Sequence, residues 1–275
     1  MRDHPDRYAV FGNPIKHSRS PAIHAMFAQQ TGQNIEYKAV LVATDNFEQA
    51  VYDFAHHGGK GINVTVPFKQ TAYEFASSLS TRAQQAGAVN TLIINEDDFY
   101  GDNTDGIGLE RDLLHNHGLT LNDKRILLLG AGGAGRGALS ALLAQNPQQL
   151  TIANRTAERA VELAQAFSSL GNTHGCGFSD LDQQTYDIII NATSASLHGE
   201  LPPLPESVVD SNTFCYDMMY AKEPTVFMQW ASDHHAGGVS DGLGMLVEQA
   251  AESFWLWRNV KPETAPVITA IRALL

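Results

Sequence analysis

The stretch Arg125-Ile126-Leu127-Leu128-Leu129-Gly130-Ala131-Gly132-Gly133-Ala134-Gly135-Arg136 decides how this chain folds. Four consecutive apolar residues, 126–129, spell a strand buried on both faces, and they run straight into G-x-G-x-x-G with glycines at 130, 132 and 135. A helix is predicted to follow at once. Ala138, Leu139, Ala141, Leu142, Leu143 and Ala144 give it an apolar face, and Asn146-Pro147 stops it. In a strand, turn and helix of this kind the glycines serve a tight turn, close backbone approach to a pyrophosphate, and close packing of helix on strand. The free N–H groups of the helix start then face the phosphates.

A second apolar strand, Leu150-Thr151-Ile152-Ala153, ends on Asn154-Arg155-Thr156. That lies about twenty residues past the last glycine, where a dinucleotide-binding unit meets the adenosine ribose. A site for NAD carries Asp or Glu there. Asn154, Thr156 and the cations Arg155 and Arg159 suit a 2'-phosphate instead and favour NADP; the bland alternative is solvated residues opening an ordinary helix.

The 275 residues suffice for two domains with a core each. Eighteen basic against thirty acidic residues leave a net charge of -12, so nucleic acid and anionic membrane are poor partners and any anionic ligand must be held by local groups. Cys176 and Cys215 have no metal-like spacing, and Met1-Arg2-Asp3-His4-Pro5 lacks the apolar core of a signal peptide, which together fit a reducing cytoplasm. No run approaches the eighteen or so apolar residues of a membrane helix. The histidines at 56, 57, 115, 117, 234 and 235 sit in polar surroundings and read as surface residues, with no metal site expected.

Before the glycine motif, Tyr8-Ala9-Val10-Phe11-Gly12 reads as a strand that breaks at Asn13-Pro14 into a polar loop. Ser20 is predicted to cap the next helix, with Pro21 at its first position. Ser18 and Ser20 are then either a solvated residue and a cap, or two hydroxyls at a helix start that hold a small carboxylate. Residues 35–40 alternate as a strand; Phe47, Val51, Phe54 and Ala55 mark a helix closed at Gly58-Gly59. Residues 61–66 form the next predicted strand, placing Asn63 and Thr65 on one face, with Lys69 at its carboxyl end. Thr81 and Gln84 resemble a capping box. Residues 88–94 turn at Asp97-Asp98 into Phe99-Tyr100-Gly101, a predicted edge hairpin that leads to Asp102-Asn103-Thr104-Asp105-Gly106. That cluster is a turn by composition, yet Asp105 opens the segment leading to the glycine motif. Helix 107–117 then joins two domains. Further strands at 174–178, 186–190 and 213–217 complete a doubly wound parallel sheet, with Asn191-Ala192-Thr193-Ser194 at a strand's carboxyl end. Asp241-Gly242-Leu243-Gly244-Met245 opens a helix to Trp257, and residues 262–275 give a last one.

Taken together, these segments resemble the shikimate dehydrogenases, in order and over nearly the whole chain. The matching motifs are Phe11-Gly12-Asn13-Pro14 through Pro21, Asn63-Val64-Thr65-Val66-Pro67-Phe68-Lys69, Gly87-Ala88-Val89-Asn90-Thr91, residues 101–106, Gly130 to Gly135, Asn154-Arg155-Thr156, residues 191–194 and residues 241–246. The resemblance is closest to NADP-dependent biosynthetic members and implies reversible reduction of 3-dehydroshikimate to shikimate, in chorismate and aromatic amino acid biosynthesis. It implies that Ser18, Ser20 and Tyr220 take the substrate carboxylate, that Asn63, Thr65, Asn90 and Gln249 hold ring hydroxyls, and that Lys69 and Asp105 are the catalytic pair. To the cofactor it assigns Gly130, Ala131, Gly132, Gly133, Ala134, Gly135, Asn154, Arg155, Thr156, Arg159, Asn191, Thr193, Ser194, Gly242 and Met245. The loop Ser194-Ala195-Ser196-Leu197 departs from the pattern, with Ser196 where many members have glycine.

The architecture so implied is two α/β domains. Residues 1–104, completed by helices in 242–275, form a substrate-binding domain with a mostly parallel sheet; residues 105–241 form a Rossmann-type NADP domain, with a cleft between the two. A small-molecule substrate and a monomer or homodimer are expected. The competing readings are a quinate or shikimate dehydrogenase of broader specificity, against which Arg155-Thr156 speaks, and a non-catalytic NADP-sensing module, which has no need of both Lys69 and Asp105.

Overall fold

The computed structural model describes residues 4–96, 98–181 and 184–275. Asp97 of the predicted turn and Met1-Arg2-Asp3 lie outside the described residues. The chain divides into two compact units, Met1–Gly108 with Leu246–Leu274, and Leu109–Met245 with Leu275.

In the first unit β1 (Asp6–Gly12), β2 (Ile35–Leu41), β3 (Gly59–Val64), β4 (Ser78–Leu79), β5 (Thr91–Asn95) and β6 (Asp98–Asp102) form one sheet in the order β2-β1-β3-β5-β6-β4. β5 runs antiparallel to β3 and β6, and the remaining pairs are parallel. The β5–β6 hairpin is not the edge: β4, too short to show periodicity, pairs outside β6. α1 (Ser20–Thr31), α2 (Phe47–His56), α3 (Lys69–Phe75), α4 (Thr81–Ala86) and α5 (Asp105–Arg111) alternate with these strands. Ala9, Phe11, Ile62 and Val64 point to the face covered by Phe47, Val51 and Phe68, where they form the main core of this unit. Period two then sends Tyr8, Tyr37 and Asn63 to the opposite face.

Two predicted caps are displaced. Ser20 is the first residue of α1, not its cap; Arg19 stands there, and the Ser18 hydroxyl accepts from the Ser20 backbone N–H at 3.3 Å. At α4 the cap is Ser80, whose hydroxyl accepts from the Ala83 N–H at 3.1 Å, so Thr81 is already helical. The predicted strand 61–66 also ends early: β3 stops at Val64, and the Thr65 N–H makes one last bond to β1, to Phe11 O at 2.9 Å. Helix 107–117 is α5 followed by a wider π-helical turn, Asp112–Asn116.

The second unit is a six-stranded, fully parallel sheet in the order β12-β11-β10-β7-β8-β9. Its strands are β7 (Arg125–Leu129), β8 (Gln149–Asn154), β9 (Thr173–Gly177), β10 (Ile188–Asn191), β11 (Phe214–Asp217) and β12 (Gly238–Asp241). α6 (Gly133–Ala144), α7 (Ala157–Phe167) and α8 (Val226–Asp233) connect them. Strand order reverses between β7 and β10, which places a topological switch at the carboxyl end of β7, the usual ligand position of an open parallel sheet. Alternate residues of β7 enter two cores: Ile126 and Leu128 one, Leu127 and Leu129 the other. β12 escapes prediction because Gly238-Val239-Ser240-Asp241 has no apolar run.

α9 (Leu243–Arg258) returns the chain to the first unit, followed by α10 (Ala265–Arg272). Val247, Ala250, Ala251 and Phe254 form its buried stripe at helical spacing. Trp257 lies flat on Tyr8, with ring centroids 4.7 Å apart, and occupies the space that a side chain at Gly61 would need. Among the described residues no helix is long and apolar enough to cross a membrane, and no group of three His, Cys, Asp or Glu could hold a metal ion. His56, His57, His115 and His235 are exposed, whereas His117 and His234 are partly buried, the latter with Nε2 3.4 Å from Glu206.

Candidate active site

In the first unit the polar residues of three motifs converge. Lys69, at the start of α3, places Nζ 2.5 Å from Asp105 Oδ2 at the start of α5. Both side chains remain reachable, at 32% and 18% exposure. The other oxygen of Asp105 accepts from Asn90 Nδ2 at 2.8 Å, so each carboxylate oxygen has its own donor and the group is held in orientation. Asn90 is itself buried and saturated: its Oδ1 accepts from the Thr104 backbone N–H at 2.9 Å, and its Nδ2 also faces Thr104 Oγ1 and Gln249 Oε1. Gln249, from α9, also accepts from Thr104 Oγ1 at 3.3 Å, while its Nε2 donates to Leu246 O.

A buried ion-pair network fixes this cluster from behind. Arg82 donates through Nε and Nη2 to both oxygens of Asp102, at 2.6 and 2.8 Å, and through Nη1 to Glu252 at 2.9 Å. It ties α4, the end of β6 and α9 together, three residues before Asp105 and three after Gln249. Removing one partner of such a buried set leaves an unpaired charge, typically about 3–5 kcal/mol. Asn63 is 7% exposed on β3; its Oδ1 accepts from the Tyr37 hydroxyl at 2.7 Å, and its Nδ2 faces Asn90 O, Thr91 Oγ1 and Ser253 Oγ at 3.0–3.2 Å. Ser18, Ser20 and Thr65 are each partly exposed in or beside loops at the sheet's carboxyl end. Tyr220 lies in the second unit, in the segment after β11.

At the carboxyl end of β7 the glycine motif takes the shape a dinucleotide needs. Gly130 has φ +102, which strains any residue with a Cβ. A Cβ on Gly135 would collide with the Gly130 carbonyl oxygen, so this glycine is required for α6 to approach the strand. Gly132 and Gly133 are exposed, with open space where a side chain would go, leaving the backbone of the α6 start accessible. Asn154 spans the loop: Oδ1 accepts from the Ala131 N–H at 3.3 Å and Nδ2 donates to Thr156 O at 2.9 Å. Asn154 thus braces the loop with half of its hydrogen-bond capacity, and the cationic reach falls to Arg155 and Arg159, both exposed and, among the described residues, without an ion pair. Open glycines beside exposed guanidinium groups fit a phosphorylated dinucleotide.

Asn191, fully buried, organises the neighbouring loop by accepting from Thr193 N and Oγ1 at 3.1 and 2.7 Å. Ser196 does not disturb it. Its hydroxyl donates to buried Asp217 Oδ2 at 2.6 Å, beside Thr225 Oγ1 at 2.7 Å, and pins the loop to the end of β11. Ser194 is exposed. Gly242 is buried, with no room for a Cβ against the Met218 carbonyl, and Met245 packs on the core of the second unit. Sequence reasoning missed the Tyr216–Asp112 bond of this unit, 2.6 Å with Asp112 buried, for which Gly244 leaves the necessary room; burial and the adjacent carboxylate hold the Tyr216 hydroxyl well above its ordinary pKa.

Three family models match the chain: the shikimate dehydrogenase substrate binding domain over residues 10–92, shikimate / quinate 5-dehydrogenase over 112–199, and the shikimate 5'-dehydrogenase C-terminal domain over 242–272. Shikimate dehydrogenase (NADP(+)) of Cellvibrio japonicus is 55% identical over 271 residues, 98% of each chain. The protein of the same name from Colwellia psychrerythraea is 56% identical over the same extent. The crystal structure of shikimate 5-dehydrogenase from Thermus thermophilus, in complex with NADP(H) and shikimate, superposes with a TM-score of 0.87 at 30% identity, covering 98% of this chain and 99% of that one.

Proposed function

This chain belongs to the shikimate dehydrogenase family, and from that membership we infer that it catalyses the NADP-dependent, reversible reduction of 3-dehydroshikimate to shikimate, a step of chorismate and aromatic amino acid biosynthesis. The observation that carries the reading at the level of chemistry is the Lys69–Asp105 pair, oriented by Asn90. NADPH, when bound, supplies the hydride. The ketone oxygen then gains negative charge and must receive a proton as it forms. One N–H of the Lys69 ammonium is taken by Asp105 Oδ2, so two remain to polarise the ketone oxygen and to donate to it. In the reverse direction the same nitrogen receives the proton of the hydroxyl. Asp105 holds the ammonium in place.

By the same family membership, Ser18, Ser20 and Tyr220 take the substrate carboxylate, and Asn63, Thr65, Asn90 and Gln249 the ring hydroxyls. The partners of Asn90 support its part in orienting Asp105; to hold a ring hydroxyl as well, its amide gives up one of its bonds to Thr104 or Gln249. Residues 1–104 with 242–275 act as the substrate-binding domain and residues 105–241 as the NADP-binding domain. Residues 130–135 face the pyrophosphate, Arg155 and Arg159 the 2'-phosphate, and Asn191, Thr193, Ser194, Gly242 and Met245 the rest of the cofactor. Thr156 and Asn154 hold the ribose end. The enzyme works in the cytoplasm, as a monomer or a homodimer; two buried cysteines, Cys176 and Cys215, that form no disulfide favour a reducing compartment.

The test is a set of absorbance assays that crosses shikimate and quinate with NADP and NAD. Turnover is expected to be fastest by far with shikimate and NADP. Comparable rates with quinate and NAD would point to the broader dehydrogenase, and no turnover with any pair, alongside NADP binding, to a sensor.

A further inference from the structure

Tyr37, on β2, lies outside every motif that carries the chemistry, yet its side chain reaches the centre of the first unit's polar cluster. Its O–H donates to Asn63 Oδ1 at 2.7 Å, and Ser20 lies beside the same hydroxyl. One phenol therefore touches a residue assigned to the ring hydroxyls and adjoins one assigned to the carboxylate. Behind it His24 lies flat on the ring, centroids 4.1 Å apart and planes 7° off parallel. His24 is fully buried; neither ring nitrogen reaches hydrogen-bond geometry with a partner, although the Asn63 side chain lies beside the imidazole, and the stacked ring holds the phenol in place.

The inventory at Asn63 gives this contact its meaning. Its Nδ2 has two N–H groups and three acceptors around it, Asn90 O, Thr91 Oγ1 and Ser253 Oγ, at 3.2, 3.1 and 3.0 Å. The nitrogen is used up inside the protein. Its Oδ1 has two lone pairs and receives the Tyr37 proton on one. What remains for a ligand is a single acceptor site. We propose that Tyr37 is a positioning residue of the substrate site: its hydroxyl locks the Asn63 amide in the orientation that shows a substrate only an acceptor, so that a ring hydroxyl must approach Asn63 as a donor. An alcohol can do so and an ether or a fluoride cannot. This rests on the reading of Asn63 as a substrate ligand given above.

The experiment is a double-mutant cycle on the full-length enzyme with shikimate and NADP, using Tyr37→Phe, Asn63→Ala and the double variant. Tyr37→Phe keeps the ring that stacks on His24 and removes only the donor. It is expected to raise the Michaelis constant for shikimate about 3- to 10-fold, the range of one lost hydrogen bond. kcat should fall by much less, and the Michaelis constant for NADP and the melting temperature should stay at wild-type values. In the Asn63→Ala background Tyr37→Phe should have a much smaller effect, because the route through Asn63 has gone and only the neighbouring Ser20 hydroxyl remains. An equal rise in both backgrounds, an unchanged shikimate constant in the single variant, or parallel losses in NADP affinity and melting temperature would each overturn the proposal. A wild-type enzyme that does not turn over shikimate would instead overturn the functional reading beneath it. As a second measurement, each ring hydroxyl of shikimate is replaced in turn by fluorine. One such analogue should lose affinity with the wild type and show no further loss with Asn63→Ala. If no analogue behaves so, Asn63 is not an acceptor for the substrate.

Discussion

His24 offers a pH experiment whose size follows from the structure. The imidazole is fully buried among Phe27, Tyr37, Phe254 and Trp257, and burial pulls its pKa down from 6.5 to about 3. The folded chain thus keeps His24 neutral while the unfolded chain protonates it near pH 6.5. Stability from this residue is fully present above pH 6.5, falls as the pH drops because the unfolded state then binds the extra proton, and levels off below about pH 3. Each pH unit in that window costs about 1.4 kcal/mol, so at pH 5 the loss is about 2 kcal/mol. The perturbation is His24→Phe, which keeps an aromatic ring and removes the titration. Overpacking can lower its absolute stability by about 1–3 kcal/mol, but that offset does not depend on pH. Urea unfolding is followed by tryptophan fluorescence at pH 8, 6.5 and 5; Trp255 and Trp257 report on the first unit and Trp230 on the second. Between pH 8 and 5 the wild type should lose about 2 kcal/mol more than the variant in the transition of the first unit. Equal pH slopes would show that His24 is protonated or hydrated in the native state, and the reasoning would fail.

Lys69→Ala should remove most turnover while leaving shikimate binding within a small factor, and Asp105→Asn should also depress kcat because the amide cannot hold the ammonium by charge; binding loss at unchanged turnover, or a fully active Asp105→Asn enzyme, contradicts the roles given. Arg155→Ala combined with Arg159→Ala should raise the Michaelis constant for NADP by about ten-fold or more while barely moving that for NAD, since only NADP carries the 2'-phosphate. Equal changes for the two cofactors would remove these arginines from that site. Gly135→Ala forces a methyl into the Gly130 carbonyl oxygen, so the second unit should lose about 1–3 kcal/mol in unfolding and NADP affinity should drop, while the transition of the first unit stays put.

The sequence by itself determined whatever depends on neighbours along the chain. Ile126-Leu127-Leu128-Leu129 followed by glycines at 130, 132 and 135 is a strand, turn and helix whatever surrounds it, because burial on both faces and the demand for φ > 0 are local facts. The pairing of Lys69 with Asp105 was legible only through the resemblance; neither residue's surroundings in the chain point to the other, thirty-six positions away. Exchange among local capping options was not legible: Ser18, Ser20, Ser80 and Thr81 can all cap, and the backbone path at each helix start decides which hydroxyl does. β12 and β4 are strands because a neighbouring strand offers them hydrogen bonds, not because their side chains favour it. Only the tertiary structure could show that Asn154 serves the glycine loop's backbone, that Ser196 is anchored on Asp217, and that Tyr37 from an outer strand reaches Asn63 two strands away. Hydrogen-bond capacity is spent across the fold, between residues far apart in the chain, and what remains free for a ligand is known only when every partner has been placed.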